Sequence, residues 1–233
     1  MPDYQIILLD LDGTLTDPTE EMISSAHYAL KQFGIKEKDP ERMNLFTKVP
    51  LLHCFEDHFG LTREQADQAF IHYWYYAGTF GVGKNRPFDG VPEMLRKLRD
   101  QGKTLCIATA RQTKNVEQIL KALNLDHFFT IIMGASEDES RRTKKMVIFD
   151  LLCELPDHTE QNVIMVGDRV VDITGARDNA IDSMAVTYGA EPVEDLLKLN
   201  PTYVVNNVSE MAAILLGEEE TVSLHISGSD SDS

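Results

Sequence analysis

Positive charge is scarce in this sequence. Lys and Arg number 22 against 38 Asp and Glu, a formal net charge of −16. A nucleic-acid or anionic-membrane surface needs a basic footprint, so the balance argues against both partners. A small anionic substrate is not excluded, because a few local cations and a metal override the global field. Long hydrophobic runs are also missing: every apolar stretch falls far short of a membrane span. The N-terminus has no basic segment leading into a signal-type apolar run, so a cytoplasmic setting is expected. Cysteine is sparse and unpatterned. Cys54, Cys106 and Cys153 are far apart with no CxxC, which fits packing in a reducing compartment. The first strand-to-helix turn, DLDGTLTD, lacks GxGxxG, which argues against dinucleotide binding.

What is present is a 42% hydrophobic content cut into short runs. The runs are YQIILLDL (4–11), TLCIAT (104–109), FTIIM (129–133), NVIMVG (162–167), SMAVT (183–187) and YVV (203–205), with amphipathic helical stretches between most of them. Continuous apolar strands alternating with helices specify an α/β fold, a doubly wound, mostly parallel sheet covered on both faces. From Asp17 to Lys84 the alternation stops and no strand is expected. Asp17-Pro18-Thr19-Glu20 reads as a helix start, with Asp17 as N-cap and Pro18 at the first helical position. Thr62 to Gln65 reads as a capping box. The expected organisation is a core from 1–16 and 85–217, an inserted α-helical cap at 17–84, and a mobile acidic tail at 218–233. The oligomeric state stays open between monomer and homodimer.

In a parallel sheet, ligands collect at the carboxyl ends of the strands. The first run ends in Asp10-Leu11-Asp12-Gly13-Thr14, the second in Thr109, and the fourth in Gly167-Asp168-Arg169 with Asp172 a helical turn beyond. The third leads through a loop to Lys144. Acids brought together repel unless a cation sits among them. Hard oxygen ligands without His or Cys point to Mg²⁺. Thr109 and Lys144 are a phosphate's natural partners, a hydroxyl and a compact positive charge. Lys145 competes with Lys144 for that role. Gly13 allows close approach of the backbone to a phosphate. One carboxylate of the Asp10/Asp12 pair can attack phosphorus, while the other protonates the leaving oxygen and then activates water.

DLDGTL at 10–15, Thr109, Lys144 and GDRVVD at 167–172 together resemble the four ordered motifs of the haloacid dehalogenase-like hydrolase superfamily. The inserted helices resemble the small cap of the subgroup that includes phosphoglycolate phosphatases, β-phosphoglucomutases and some nucleotidases. The resemblance implies a phosphatase that acts on a small phosphate monoester. Asp10 would be the nucleophile and Asp12 the acid/base, with Thr109 and Lys144 on the phosphoryl group. Mg²⁺ would be held by Asp10, the Asp12 carbonyl oxygen and Asp168, with Asp172 acting from further out. Three positions depart from the family pattern: Lys48 replaces a usual Gly, Trp74 a usual Arg, and Ala110-Arg111-Gln112 a usual Ser-Lys-Pro. Lys48 and Arg111 are therefore candidate specificity residues. A sugar phosphomutase and a non-catalytic metabolite-binding protein are the rival readings.

Overall fold

In a computed structural model, residues 3–136, 140–155, 159 and 162–218 are described. The expected tail lies outside them apart from Glu218. Strands β1 (Ile6–Leu9), β4 (Thr104–Gln112), β5 (Ile131–Ala135), β6 (Val163–Gly167), β7 (Asp182–Val186) and β8 (Tyr203–Val205) form one sheet, all pairs parallel. Their order is β5-β4-β1-β6-β7-β8. The chain builds outward from β1 on one side through β4 and β5, then returns to β1's other side with β6. The reversal places the crevice at the carboxyl ends of β1, β4 and β6.

Side chains of β1 alternate between faces. Ile7 and Leu9 pack with α5 (Val91–Asp100), α6 (Thr113–Ala122) and α10 (Val208–Leu216). Ile6 and Leu8 pack with α7 (Lys144–Glu154) and α8 (Val170–Asp178). Because both faces are covered, the strand reads as continuously apolar instead of alternating. A short helix, α9 (Val193–Leu197), brings Leu196 against Ile173 and Ala185.

Between β1 and α5 lie α1 (Thr19–Gln32), α2 (Pro40–Asn44), α3 (Leu51–His53) and α4 (Arg63–Tyr76). They share a separate apolar cluster that includes Ala26, Leu30, Phe46, Phe55, Ala69 and Tyr73. The Thr62 capping box forms: Gln65 N–H donates to the Thr62 hydroxyl and Thr62 N–H donates to the Gln65 side chain. Helix α1 starts at Thr19, and Thr19 N–H donates to Asp17 Oδ1 at 2.9 Å.

Several sequence expectations are corrected. Two short strands, β2 (Thr16–Asp17) and β3 (Arg86–Pro87), pair antiparallel where no strand was expected at position 17. They are too short to carry a hydrophobic pattern, and they tie together the two chain crossings between core and helices. Strand β4 runs past Thr109 to Gln112. Beyond Ala108 the register shifts, and Gln112 pairs with Ala135 on β5. The third run starts at Ile131, two residues later than expected, because Phe129 closes the tight turn at Asp126–Phe128 by donating its N–H to the Asp126 carbonyl. Cys54 and Cys106 are buried, whereas Cys153 is exposed on α7. No helix among the described residues is long and apolar enough to cross a membrane.

Candidate active site

Register sets the site. Leu9 is level with Ile107 on one side and Val166 on the other, so Asp10 emerges beside Ala108 and Gly167. Asp10 N–H donates to the Val166 carbonyl, which extends the ladder by one residue before the chain turns. The turn is tight. Leu15 and Thr16 N–H both donate to the Leu11 carbonyl at 2.9 Å, and Gly13 N–H donates to the Thr16 carbonyl at 2.8 Å. Leu11 and Leu15 are fully buried and anchor it. The apolar residue between the two acids thus fixes the loop that presents them.

Asp10 Oδ1 accepts from Leu11 N–H at 2.8 Å and lies 2.9 Å from Lys144 Nζ. Its Oδ2 accepts from no described residue. Lys144, only 1% exposed, also sits 2.7 Å from Asp172 Oδ1 and donates to the Ala108 carbonyl at 2.8 Å. The Ala108 contact is a hydrogen bond, whereas the two carboxylates are held as ion pairs, and Asp172 Oδ1 is left without a hydrogen-bond partner. Burial disfavours the charged amine, but Asp10 and Asp172 outweigh it and raise its proton affinity. Lys145 is exposed and pairs with Asp178. The geometry thereby separates the two lysines: Lys144 meets the acids and Lys145 does not.

Asp168 accepts from Ala190 N–H at 2.8 Å and from the Thr14 hydroxyl at 3.3 Å. Burial, then the charge of Asp10, pushes its carboxyl up to about 6. Asp172, expected as a more distant acid, is fully buried. It accepts from Arg169 N–H at 3.0 Å, and burial pushes it up to about 7 against the opposing pull of Lys144. Oxygens of Asp10, Asp168 and Asp172 lie within 4.8 Å of one another. Three buried carboxylates face one ammonium, so the cluster holds excess negative charge that a divalent cation would balance. All the donors are hard oxygens, the set that Mg²⁺ selects. The residues fit that ion.

Gly13 also has a packing use inside the fold. Its φ is +81°, and a Cβ there would stand 2.3 Å from Asp168 Oδ2. The missing side chain makes room for Asp168, as it does at Gly189, where a Cβ would fall 2.2 Å from Asp168 Cβ. Gly13→Ala is therefore expected to destabilise the fold by roughly 2 kcal/mol or more through strain and displacement of a buried acid, read as a lower denaturant midpoint.

Thr109 is buried, and its hydroxyl accepts from Arg111 N–H at 3.4 Å. Asp12 stays outside the carboxylate cluster. Its Oδ2 accepts from Arg111 Nε at 2.8 Å, and its Oδ1 is buried with no hydrogen-bond partner. Arg111 also engages Glu21 of α1. Lys48 is exposed at the end of a tight turn at Leu45–Thr47 and pairs with no described acid. Trp74 is partly exposed, and the Arg111 guanidinium carbon lies 5.9 Å from its ring centre. Sequence reasoning missed Glu21, Asn85 and the Gly189-Ala190 turn. Glu21 carried no local signal, because one acid on a helix of an acidic chain stands out only once its buried partners are in place.

A model of the haloacid dehalogenase-like hydrolase family matches residues 7–186. The crystal structure of a putative phosphatase from Clostridium difficile superposes with a TM-score of 0.84 at 39% identity, covering 91% of this chain and 99% of that one. A 5'-nucleotidase from Pseudomonas aeruginosa is 34% identical, over 91% of this chain and 96% of its own. Tyrosine-protein kinase PtkA from Mycobacterium tuberculosis is 32% identical over 87% of this chain and 68% of its own. The chain belongs to the haloacid dehalogenase-like hydrolase family. Within that family it stands with the phosphatases.

Proposed function

We propose that this enzyme is a Mg²⁺-dependent phosphatase that hydrolyses a small phosphate monoester through an aspartyl phosphate on Asp10. The observation that carries the reading is the meeting of Asp10, Asp168, Asp172 and Lys144 at one buried strand-end rim. Asp10 has one oxygen held by Leu11 N–H and Lys144 and the other open, which suits a nucleophile with a fixed line of attack. Asp12 has one oxygen held by Arg111 and the other without a partner, which suits a group that must pass a proton.

Asp10 Oδ2 forms a bond to phosphorus as the ester P–O bond breaks, and Asp12 gives its proton to the leaving oxygen. Asp12 then takes a proton from water. The resulting hydroxide attacks phosphorus, breaks the bond to Asp10 and releases inorganic phosphate. Mg²⁺ held by Asp10, Asp168 and Asp172 would neutralise charge on the phosphoryl oxygens. The Asp12 carbonyl is a further donor on the family pattern. Lys144 supplies positive charge beside Asp10, and Thr109 offers a hydroxyl from the neighbouring strand. Helices α1–α4, read as a cap over the rim, exclude bulk water and select the leaving group.

A nucleoside monophosphate is an ester of this class, in keeping with the name of the Pseudomonas relative. The chain carries neither GxxxxGK[ST] nor GxGxxG to cradle a nucleoside triphosphate, so water is read as the phosphoryl acceptor. The test is phosphate release from p-nitrophenyl phosphate with Mg²⁺ and with EDTA. Release that requires Mg²⁺, with a borohydride-trapped adduct mapped to Asp10 by mass spectrometry, is the expected result. Turnover unaffected by EDTA, or an adduct elsewhere, overturns the reading.

Metal removal has a stability readout as well. At Mg²⁺ concentrations about 100 times Kd, binding to the folded state contributes roughly 2–3 kcal/mol. A chain of this size should then melt about 5–10 °C higher with Mg²⁺ than with EDTA. Asp168→Asn should remove most of that difference.

A further inference from the structure

Arg111 joins the core to the helical segment. From β4 it reaches Asp12 with Nε at 2.8 Å and Glu21 with Nη1 and Nη2 at 3.1 Å each. The Arg111 side chain is 8% exposed and that of Glu21 is 1% exposed. A carboxylate so deeply buried costs stability unless it is matched. Glu21 is matched by the guanidinium fork and by Asn85 Nδ2, which donates to Oε2 at 2.7 Å. Asn85 stands in the return crossing to the core. Gly81, just upstream, leaves the room: a Cβ there would fall 2.8 Å from Glu21 Cγ. One carboxylate on α1 thus gathers the return crossing and β4, and its partner Arg111 grips Asp12.

Arg111 is therefore already engaged by two acids of its own chain, which sets it apart from a cation reserved for substrate. Its grip decides which Asp12 oxygen is available. Oδ2 is occupied and Oδ1 is left buried without a partner.

We propose that Arg111 and Glu21 are positioning residues for proton delivery: the Glu21–Arg111 pair holds Asp12 Oδ2 so that Oδ1 meets the leaving oxygen. Glu21 rides on the helical segment and Asp12 on the core, so the acid is aimed only when α1 is docked. The inference rests on the reading of Asp12 as the acid.

The test compares two substrates of similar size, p-nitrophenyl phosphate and benzyl phosphate, with Mg²⁺ present. The benzyl alkoxide needs a proton to leave, whereas nitrophenolate scarcely does. The readout is kcat/KM, which covers steps through phosphoryl transfer and not the later hydrolysis. Since general-acid assistance is worth roughly 10²–10⁴-fold, Glu21→Gln should lower kcat/KM for benzyl phosphate by about tenfold or more, and for p-nitrophenyl phosphate by less than about threefold. Arg111→Lys keeps the charge but loses the fork, and should give the same selective loss. It decides the matter alone if Glu21→Gln does not fold. Equal losses on both substrates, or no loss on either, overturn the proposal, because a merely structural role would not sort esters by leaving group. Asp12→Asn is the reference. An unselective loss there overturns the acid reading and this inference with it. A selective loss there, beside unselective Glu21→Gln and Arg111→Lys, overturns this inference alone.

Discussion

Asp10→Asn should abolish turnover, lowering kcat/KM by roughly 10⁴-fold or more, about 5 kcal/mol of lost transition-state stabilisation. An amide at position 10 has no anionic oxygen with which to attack phosphorus, so the covalent route closes. The substitution is nearly isosteric. It keeps an oxygen that can accept from Leu11 N–H and sit by Lys144, the two contacts that hold Oδ1. The fold should therefore persist, and a melting curve separates loss of chemistry from loss of structure. Steady-state kinetics on p-nitrophenyl phosphate with Mg²⁺ is the measurement. A variant that keeps wild-type rate would remove Asp10 from the nucleophile role.

Lys144→Met should have the largest effect on stability. The side chain is of similar length and apolar, so packing is largely kept and the loss is electrostatic. Without the ammonium, Asp10 and Asp172 lose a charged partner at 2.9 and 2.7 Å inside the protein. Breaking a buried pair from one side costs about 3–5 kcal/mol. With EDTA present, this should lower Tm by roughly 10 °C. Mg²⁺ should restore part of the loss, because it places positive charge among the same carboxylates. Lys145→Met, which removes an exposed ammonium 3.3 Å from Asp178, should change stability by less than about 1 kcal/mol. Comparable losses from the two substitutions would contradict the role assigned to Lys144.

The sheet was legible because its strands are covered on both faces and read as unbroken apolar runs. Ile6 to Leu9 show this most clearly, with alternate residues entering two different cores. Strand ends were less legible. Beyond Ala108, β4 continues along β5, and a pairing partner far along the chain leaves no local trace. The β2–β3 pair escaped notice for the same reason: two residues on each side carry no period. Among site residues, the acids stood out because Asp at the tip of an apolar strand has no packing use. Glu21 did not, because one acid on a helix among many in an acidic chain has no distinguishing neighbour until Arg111 arrives from β4, 90 positions away.

What the sequence by itself determined was a two-faced parallel sheet and the delivery of Asp10 and Asp168 to one rim, since hydrophobic period and strand ends are local properties. What only the tertiary structure decided was which charge meets which. Lys144 and Lys145 are adjacent on a helix and about 100° apart around its axis, so one enters the acid cluster and the other faces solvent. Arg111, a candidate specificity residue, meets Asp12 and Glu21 in the folded chain. Both outcomes follow from one fact: the energy of a charge depends on what surrounds it in space, and in this chain those surroundings come from β1, β4, α1, α7 and α8, which only the folded packing brings together.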